Sequence, residues 1–518
     1  MTEISAAQSS PVDNRWLAPL AIGAYFAVLK LFLHFTFNGN YGYFRDELYF
    51  MACGEHLAWG YPDHAPMVAL MAKASREILG DSLFAIRFFP AVAGAVKVFL
   101  TALLVKEFGG NRFAAFLACL CVLLAPIYLG IDNLLSMNSL EPVFWTGCVY
   151  WLVLARRRND SRYLILFGAF AGLGLMNKHS MLFFGASIAA GLIFTSARKV
   201  FLDKYLYIAG LLSLLIFLPN IIWEYQNDWA TLELLQNVQK TGKNVEFSTP
   251  KFLLQQILML SPISFPIWIA GLWFLLFDKD AGKFRFLGIA YIVFLLLMIF
   301  LKAKDYYAAP IYPMLFAAGA VWWEDIIRAR ALPFLKYALP LLILITGFFL
   351  MPMVLPVLPI ETYIAYQEKL GLKPPKAEVS HEGVLPQLYG DQFGWREMVE
   401  KVSDVYHGLP PEERAKVGIF ASNYGEAGAI DFFGTEYGLP KAVSPHQSYY
   451  LWGPREYTGE LLIVLGSDRE GIERGCEKFE EKATVGHPLA MREENFTIYL
   501  CQTKKPLPEI WSSLKIWN

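Results

Sequence analysis

Charged residues are scarce in this chain, and the shortage is confined to one part of it. Asp, Glu, Lys and Arg make up 18% of the 518 residues, against about 25% in an ordinary soluble protein. Residues 1–360 hold 50 of these charges, or 14%, whereas residues 361–518 hold 41, or 26%. This difference predicts a membrane domain over 1–359 and a water-soluble domain over 360–518.

Two further absences exclude classes of protein. The formal net charge is -1, so the chain lacks the basic excess with which nucleic-acid-binding proteins neutralise phosphate. The six cysteines show no CxxC or Cys/His spacing, which argues against a structural zinc site. The first apolar run, from Trp16 to Phe37, is not followed by a small-residue cleavage site. It is therefore predicted to be a retained span and not a signal peptide.

Apolar segments long enough to cross a bilayer recur along the membrane domain. A spanning helix needs about 20 mostly apolar residues, and eleven segments are candidates. They lie at 16–38, 86–105, 112–130, 138–155, 162–179, 180–197, 205–223, 252–277, 284–301, 306–323 and 334–357. We therefore predict a polytopic α-helical membrane protein of about eleven spans.

The loops between these segments differ in charge. Every second loop is basic, and by the positive-inside rule this set is cytoplasmic. Its residues are Lys106, Arg112, Arg156, Arg157, Arg158, Arg162, Arg198, Lys199, Lys204, Lys279, Lys283, Arg285, Arg328, Arg330 and Lys336. An odd span count places the N-terminus in the cytoplasm of a plasma or inner membrane and the C-terminal domain outside the cytoplasm. No internal repeat of the kind seen in many secondary transporters is evident.

The C-terminal domain mixes strand and helix patterns. Lys416–Ser422 and Glu460–Gly466 are predicted buried strands, Trp395–Val405 an amphipathic helix and Phe496–Cys501 a closing strand. These patterns predict a small α/β domain. Cys476 and Cys501 lie in this domain, where an oxidising compartment would favour a disulfide; two buried free thiols are the alternative.

The first predicted external loop carries two adjacent carboxylates, Asp46 and Glu47, among aromatic residues. A solvated acidic pair at the membrane surface would explain them. Aromatic neighbours would, however, shield a carboxylate from water, which suits a general base. On a helix, neighbouring side chains point about 100° apart, so only one of the two could face a given reacting atom.

Other polar residues lie at the same predicted side of the membrane. Asp63 and His64 occupy a Pro-bounded turn that could hold a divalent metal or orient a substrate hydroxyl, although two residues are a weak metal signal. Asn138 and Glu141 begin the fourth predicted span. A carboxylate there is explained by interaction with the helix dipole, and we prefer that interpretation for Glu141.

Lysines also lie on this side, where the positive-inside rule disfavours them. Lys178 ends the fifth predicted span, and Lys304 lies between spans nine and ten, followed by Tyr307. Snorkelling to the interface is the ordinary explanation. Binding of a lipid phosphate by cations and tyrosines is the functional one.

Together these motifs resemble glycosyltransferase family 39, a GT-C group that includes protein O-mannosyltransferases, the lipid A aminoarabinose transferase and bacterial galacturonosyltransferases. The family's Asp-Glu pair, whose Asp is the catalytic carboxylate, maps onto Asp46 and Glu47. Its Tyr-x-acid turn maps onto Tyr61, Asp63 and His64, its lysine motif onto the stretch ending at Lys178, and its Tyr-x-x-Pro onto Tyr307–Pro310. His64 stands where the aminoarabinose enzymes have Lys, and Asn138 stands where the family often has Asp.

The resemblance implies transfer of a sugar from a polyprenyl-phosphate donor to an extracytoplasmic acceptor: lipid A or lipopolysaccharide, another glycan, or a protein. It implies Asp46 as the base of an inverting displacement and Glu47 or Asp63 as an orienting or metal-holding group. Arg45, Lys178 and Lys304 would offset phosphate charge. No definite cofactor is implied, and a divalent metal at Asp63 and His64 is left open.

Two other classes compete with this interpretation. A transporter or flippase of lipid-linked or small solutes would need charged residues at mid-membrane depth, where Lys97 is the main exception to an apolar pattern. A glycan-binding protein would use the C-terminal domain as its receptor.

Overall fold

The computed structural model describes residues 18–242, 245–279, 281–371 and 383–518. The predicted cytoplasmic N-terminus and the start of the first predicted span lie outside these ranges. The helices of the membrane part are α1 (Pro19–Phe37), α2 (Arg45–Glu55), α3 (Met67–Leu79), α4 (Leu83–Ile86), α5 (Phe88–Phe108), α6 (Arg112–Leu124), α7 (Pro126–Ile131), α8 (Met137–Arg158), α9 (Tyr163–Asn177), α10 (Met181–Ile193), α11 (Lys204–Gln226), α12 (Ala230–Thr241), α13 (Thr249–Leu258), α14 (Phe265–Phe277), α15 (Arg285–Phe300), α16 (Tyr312–Ala329) and α17 (Leu335–Leu350). Short 3-10 turns lie at Ser196–Leu202, Pro262–Ser264, Gly282–Phe284, Asp305–Ile311 and Met351–Met353.

The helical membrane class is confirmed, whereas the count of eleven spans stays a prediction. By length and composition, five helices in the described ranges could cross a membrane alone, or up to seven if each bent pair is one span. The apolar helices α6 and α9 have 13 and 15 residues. At 1.5 Å per residue they reach only about 20 Å, less than the ~30 Å hydrocarbon core.

Two predicted spans are broken in the structure. The segment 252–277 forms α13 and, after a turn, α14, with a bend of 92° between them. Ser261 has a positive φ of 76°, and the two prolines that follow, Pro262 and Pro266, lack the backbone N–H that a continuous helix needs. Likewise, α10 ends at Ile193 and meets the turn Ser196–Leu202 at 112°.

The C-terminal part is a mixed α/β domain, as predicted. Its elements are α18 (Ile360–Lys369), α19 (Gln387–Gly390), α20 (Trp395–His407), α21 (Pro411–Arg414), β1 (Gly418–Ala421), α22 (Tyr424–Phe433), β2 (Ala442–Val443), α23 (Gln447–Trp452), β3 (Leu462–Leu465), α24 (Arg469–Gly475), β4 (Cys476–Val485), β5 (Phe496–Thr503) and α25 (Leu507–Ile510). Further 3-10 turns lie at Gly434–Tyr437, Arg492–Glu494 and Trp511–Ser513.

The five strands form one sheet in the order β2-β1-β3-β5-β4. Strand β1 runs parallel to β2 and β3, with Ile419 opposite Ala442 and Ile463. Strand β5 runs antiparallel to β3 and β4. A disulfide joins Cys476 at the start of β4 to Cys501 of β5. The structure therefore contains the predicted disulfide and not the alternative of two free thiols.

The sheet shares its core with the first predicted external loop. Side chains of one face, including Ile419, Ile463 and Ile498, belong to the same buried cluster as Leu48 of α2 and Val68 of α3. Because successive strand residues point to opposite faces, Leu462 and Val464 pack in a separate cluster on the far side. The loop before α5 therefore packs against the sheet. The domain boundary at 359/360 stays a prediction.

Candidate active site

Helix α2 presents the two adjacent carboxylates in its first turn. The Phe44 N–H donates to Oε2 of Glu47 over 2.9 Å, which caps the helix start. Asp46, one residue earlier, is partly exposed. Its Oδ1 accepts a hydrogen bond of 2.8 Å from the hydroxyl of Tyr424 at the start of α22. The two carboxylates therefore point in different directions, as their helical spacing requires.

Glu47 is fully buried and serves as an anchor. The Arg87 guanidinium donates to both of its oxygens, at 2.9 Å from Nε and 2.8 Å from Nη2. The Leu135 N–H donates to Oε1 over 2.9 Å. Arg87 also donates to the carbonyls of Asn38 and Gly42. This network fixes the start of α2, and hence the place of Asp46, relative to α1 and α5.

Asp63 and His64 lie in the turn after α2. The Tyr49 hydroxyl donates to Oδ1 of Asp63 over 2.8 Å. Burial raises the pKa of Asp63 and lowers the pKa of His64, since removal from water disfavours the charged form of each. The His64 ring stacks on Tyr61 with centroids 4.4 Å apart, and its Nε2 is buried without a hydrogen-bond partner among the described residues.

Lys178 contacts three other residues that the sequence analysis singled out. Its Nζ donates to Oδ1 of Asn138 over 2.8 Å and lies 3.0 Å from Oε2 of Glu141. The same ammonium group is 4.3 Å from the ring centroid of Tyr307. The Ser180 hydroxyl holds the other oxygen of Glu141. Glu141 is therefore a partner of Lys178, and our preference for a helix-dipole role is wrong.

Asn220 of α11 links the first loop to the residue next to Lys178. Its Nδ2 donates to the Trp59 carbonyl in the first loop over 2.8 Å, and its Oδ1 lies 3.0 Å from Nε2 of His179. Burial lowers the pKa of His64, and the nearby carboxylates of Asp63 and Asp46 act in the opposite direction. One polar region therefore extends from Asp46 to Lys178.

Other predicted site residues have structural partners. Arg45 pairs with Asp391 at 3.3 Å and Glu493 at 3.0 Å. The Tyr61 hydroxyl donates to the carbonyls of Cys53 and His56 at 3.1 Å. Lys304 immediately precedes the turn that carries Tyr307 and is partly buried. Substrate contacts by these three residues stay predictions.

Residues that the sequence interpretation missed complete the region. Arg87 immediately precedes α5 at the predicted external side, so the positive-inside argument that singled out Lys178 also applied to it. Tyr49 links Asp63 to the C-terminal domain, because its hydroxyl also lies 2.6 Å from the Ser448 hydroxyl. Tyr424 follows Asp46 by 378 residues, and no local pattern connects the two.

Asp63 and His64, the two predicted metal ligands, have no third ligand beside them in the described part of the chain. Among the residues that the structure describes, no group of three or more His, Cys, Asp or Glu side chains could hold a metal ion. Asp63 accepts a hydrogen bond from Tyr49, and Nδ1 of His64 lies 2.9 Å from the Ala65 carbonyl. We therefore assign no step to a metal at Asp63 and His64.

Comparisons with known proteins agree on one fold. The family model described as dolichyl-phosphate-mannose-protein mannosyltransferase matches residues 63–223. The crystal structure of ArnT from Cupriavidus metallidurans bound to undecaprenyl phosphate is 12% identical and covers 95% of this chain and 98% of that one, with a TM-score of 0.57. The chain therefore has the GT-C fold of that structure. The resemblance expected from the motifs is confirmed at this level.

Two further relatives extend the GT-C comparison. The lipid A galacturonosyltransferase RgtD of Rhizobium johnstonii is 24% identical over 241 residues, which are 45% of this chain and 48% of that protein. The match therefore spans about half of RgtD. The oligosaccharyltransferase of Archaeoglobus fulgidus tethered with an acceptor peptide is 13% identical, covers 80% of this chain and 62% of that one, and has a TM-score of 0.50.

Proposed function

We propose that this chain is an integral membrane glycosyltransferase that moves a sugar from a polyprenyl-phosphate donor to an extracytoplasmic acceptor. The observation that carries the proposal is the link that Asn220 makes between the first loop, which carries Asp46 and Asp63, and His179, the neighbour of Lys178. The acceptor is lipid A or lipopolysaccharide, another glycan, or a protein. The names of the GT-C relatives support a lipid-linked donor.

The donor phosphate is assigned to the Lys178 side. The Lys178 side chain is 15% exposed. Its ammonium group lies between a carboxylate, an amide oxygen and the face of Tyr307. These contacts hold its position without covering it. A charge-assisted contact from such a lysine would stabilise the negative charge that develops as the phosphate leaves. Lys304 precedes the Tyr307 turn and would add to this charge.

Asp46 is assigned as the general base. It takes the proton of the acceptor hydroxyl while the acceptor oxygen forms a bond to C1 of the sugar. The bond between C1 and the phosphate oxygen breaks, and polyprenyl phosphate leaves with that electron pair. Attack from the opposite face inverts C1. Glu47 and Arg87 hold the helix that carries the base, and Asp63 orients the site through Tyr49.

Contacts between helix ends support the placement of the site on the extracytoplasmic side of the membrane. Glu324 at the end of α16 accepts from the Asn111 N–H over 2.7 Å, and Arg157 at the end of α8 lies 3.5 Å from Glu107. These ends belong to the basic set predicted to be cytoplasmic. The polar region around Asp46 and Lys178 is built from the other ends, which supports an extracytoplasmic site and C-terminal domain.

Lys97, the charged residue within a predicted span that a transporter could use, is enclosed in an ion cluster. Lys97 donates to both oxygens of Asp132 over 2.8 Å, and Lys30 of α1 lies 2.9 Å from the same carboxylate. All three side chains are fully buried. A closed ion cluster of this kind ties α1 and α5 to the chain after α7, with no group exposed to a solute.

Mass spectrometry of lipids and glycans from a strain lacking the gene tests the proposal. We expect one sugar to be missing from an envelope acceptor, its polyprenyl-phosphate donor to accumulate, and the parental gene to restore both. Unchanged lipid and glycan profiles would contradict the proposal. Movement of intact donor across vesicles by the purified protein, without cleavage, would favour the transporter.

A further inference from the structure

We propose that Tyr424, supplied by the C-terminal domain, is a positioning residue for the catalytic carboxylate of Asp46. The inference rests on the proposed function. Its observation is the 2.8 Å hydrogen bond from the Tyr424 hydroxyl to Oδ1 of Asp46. This contact makes the C-terminal domain part of the active site. The membrane helices alone would not provide the hydrogen bond that orients Asp46.

The position of Tyr424 is fixed at the start of α22. Asn423 caps this helix: its Oδ1 accepts from the N–H groups of Gly425 at 2.8 Å and Glu426 at 3.0 Å. Tyr424 is thus the first residue of a capped helix. Its ring also lies 4.7 Å from that of Tyr49, centroid to centroid. The phenol therefore approaches Asp46 from a rigid element.

Two glycines allow α22 to dock on α2. A Cβ on Gly428 would lie 2.9 Å from the carbonyl carbon of Leu48, and a Cβ on Gly425 would lie 2.5 Å from Cγ of Arg45. The first of these neighbours is backbone and cannot move without shifting α2. The close approach of the two helices therefore requires Gly428, and this approach brings Tyr424 to Asp46.

Further contacts stabilise the packing of the C-terminal domain on α2. Arg45 pairs with Asp391 and Glu493 of the C-terminal part, and the Tyr49 hydroxyl meets Ser448 at 2.6 Å. Tyr424 and Ser448 follow the carboxyl ends of the parallel strands β1 and β2. That edge of an α/β sheet is where functional groups gather. Here it faces α2.

The chemical role follows from the geometry of a carboxylate. The phenol holds Oδ1 and leaves Oδ2 for the proton of the acceptor hydroxyl. Without this contact, the side chain of Asp46 can rotate, and fewer encounters place an oxygen within hydrogen-bond reach of the acceptor. The effect falls on the chemical step and not on donor binding, because the Tyr424 hydroxyl acts on Asp46, whereas the donor phosphate is assigned to Lys178.

Tyr424→Phe is the first test, since it removes only the hydroxyl. With donor extracted from the deletion strain, we expect kcat to fall by about 10- to 100-fold, the size of one hydrogen bond to a charged group. KM for the donor, binding of undecaprenyl phosphate and the unfolding temperature should stay at parental values. Tyr437→Phe is the control, because it removes an exposed tyrosine-to-Glu400 hydrogen bond in the same domain.

Gly428→Ala is the second test, since it displaces α22 and leaves Asp46 and Tyr424 unchanged. We expect it to lower kcat as Tyr424→Phe does, whereas Gly475→Ala, whose added Cβ meets nothing within 4 Å, should behave as the parent. A parental or higher kcat for Tyr424→Phe would overturn the inference. If Asp46→Asn is inactive in that case, the proposed function still stands; a fully active Asp46→Asn would overturn both.

Discussion

Lys178 is the residue whose surroundings say most about the donor. A lysine that merely snorkels extends its ammonium group to water. Lys178 is instead held by Asn138, Glu141 and the ring of Tyr307. That arrangement keeps a cation in one place at the end of α9, as recognition of a phosphate requires.

The charge of Lys178 can be tested apart from its shape. We predict that Lys178→Ala weakens donor use more than Lys178→Arg, because Arg keeps the positive charge. A charge-assisted contact is worth about 1.5 to 3 kcal/mol, so undecaprenyl phosphate should bind Lys178→Ala about 10- to 100-fold more weakly. Isothermal titration of both variants measures this. Equal affinity for Lys178→Ala and the parent would assign Lys178 to snorkelling.

Local motifs could identify only some of the site residues. The Asp46-Glu47 pair and Lys178 stand out because each departs from the expectation for its place in the sequence. Glu47 could not be separated from Asp46 in this way, since burial and the partner Arg87 decide its role. Tyr424 could not be found at all, because its relation to Asp46 exists only after the C-terminal domain docks on α2.

Among the elements, α22 combines docking with a buried carboxylate. Asp431 accepts from the Ala442 N–H over 2.8 Å and from the Tyr449 hydroxyl over 3.0 Å. Burial raises the pKa of Asp431 from 3.8 to about 6, chiefly because the charged form loses its hydration. The folded domain therefore binds this proton more tightly than the unfolded chain does.

This shift predicts the direction of a pH effect. The stabilisation from Asp431 is fully present below pH 3.8 and is lost as the pH rises through about 6. Roughly 1 kcal/mol of this loss falls between pH 5 and 7. Thermal unfolding of the purified chain should show a smaller decrease over that range for Asp431→Asn than for the parent. Exposed Asp404→Asn is the control, and equal slopes for Asp431→Asn and the parent would contradict the prediction.

Helices and strands of the C-terminal domain were predicted correctly where the helical or strand periodicity of the sequence was strong. The amphipathic helix α20 and strands β1, β3 and β5 appear where the sequence predicted them. Strand β2 has only two residues, too few for any pattern. The break between α13 and α14 could not be placed from the proline spacing, because Pro219 and Pro340 lie inside the continuous helices α11 and α17.

At the scale of the whole molecule, the C-terminal domain and the first loop form one unit. They share a buried core, and the ion pairs of Arg45 join them. Composition separates these two segments, since one lies among apolar spans and the other in a charged domain. Their association depends on long-range packing, which composition does not reveal.

The disulfide tests the compartment of this unit. Cys476 and Cys501 are bonded, whereas Cys53, Cys119, Cys121 and Cys148 are free. A bond across 25 residues of sequence typically adds about 3 kcal/mol of stability. We predict that maleimide labels the four free cysteines of denatured, non-reduced protein, and the other two only after reduction. Labelling of Cys476 and Cys501 without reductant would contradict an oxidising location for the domain.

The central claim is that the carboxylate of Asp46 removes a proton from the acceptor. Asp46→Asn keeps the size of the side chain and can still accept from Tyr424, but its amide is not a base. Sugar transfer by the purified variant, measured with the donor that accumulates in the deletion strain, is the most direct test. We predict a rate about 10²- to 10⁴-fold below the parent, with unchanged folding and undecaprenyl phosphate binding. Turnover close to the parental rate would show that Asp46 is not the base.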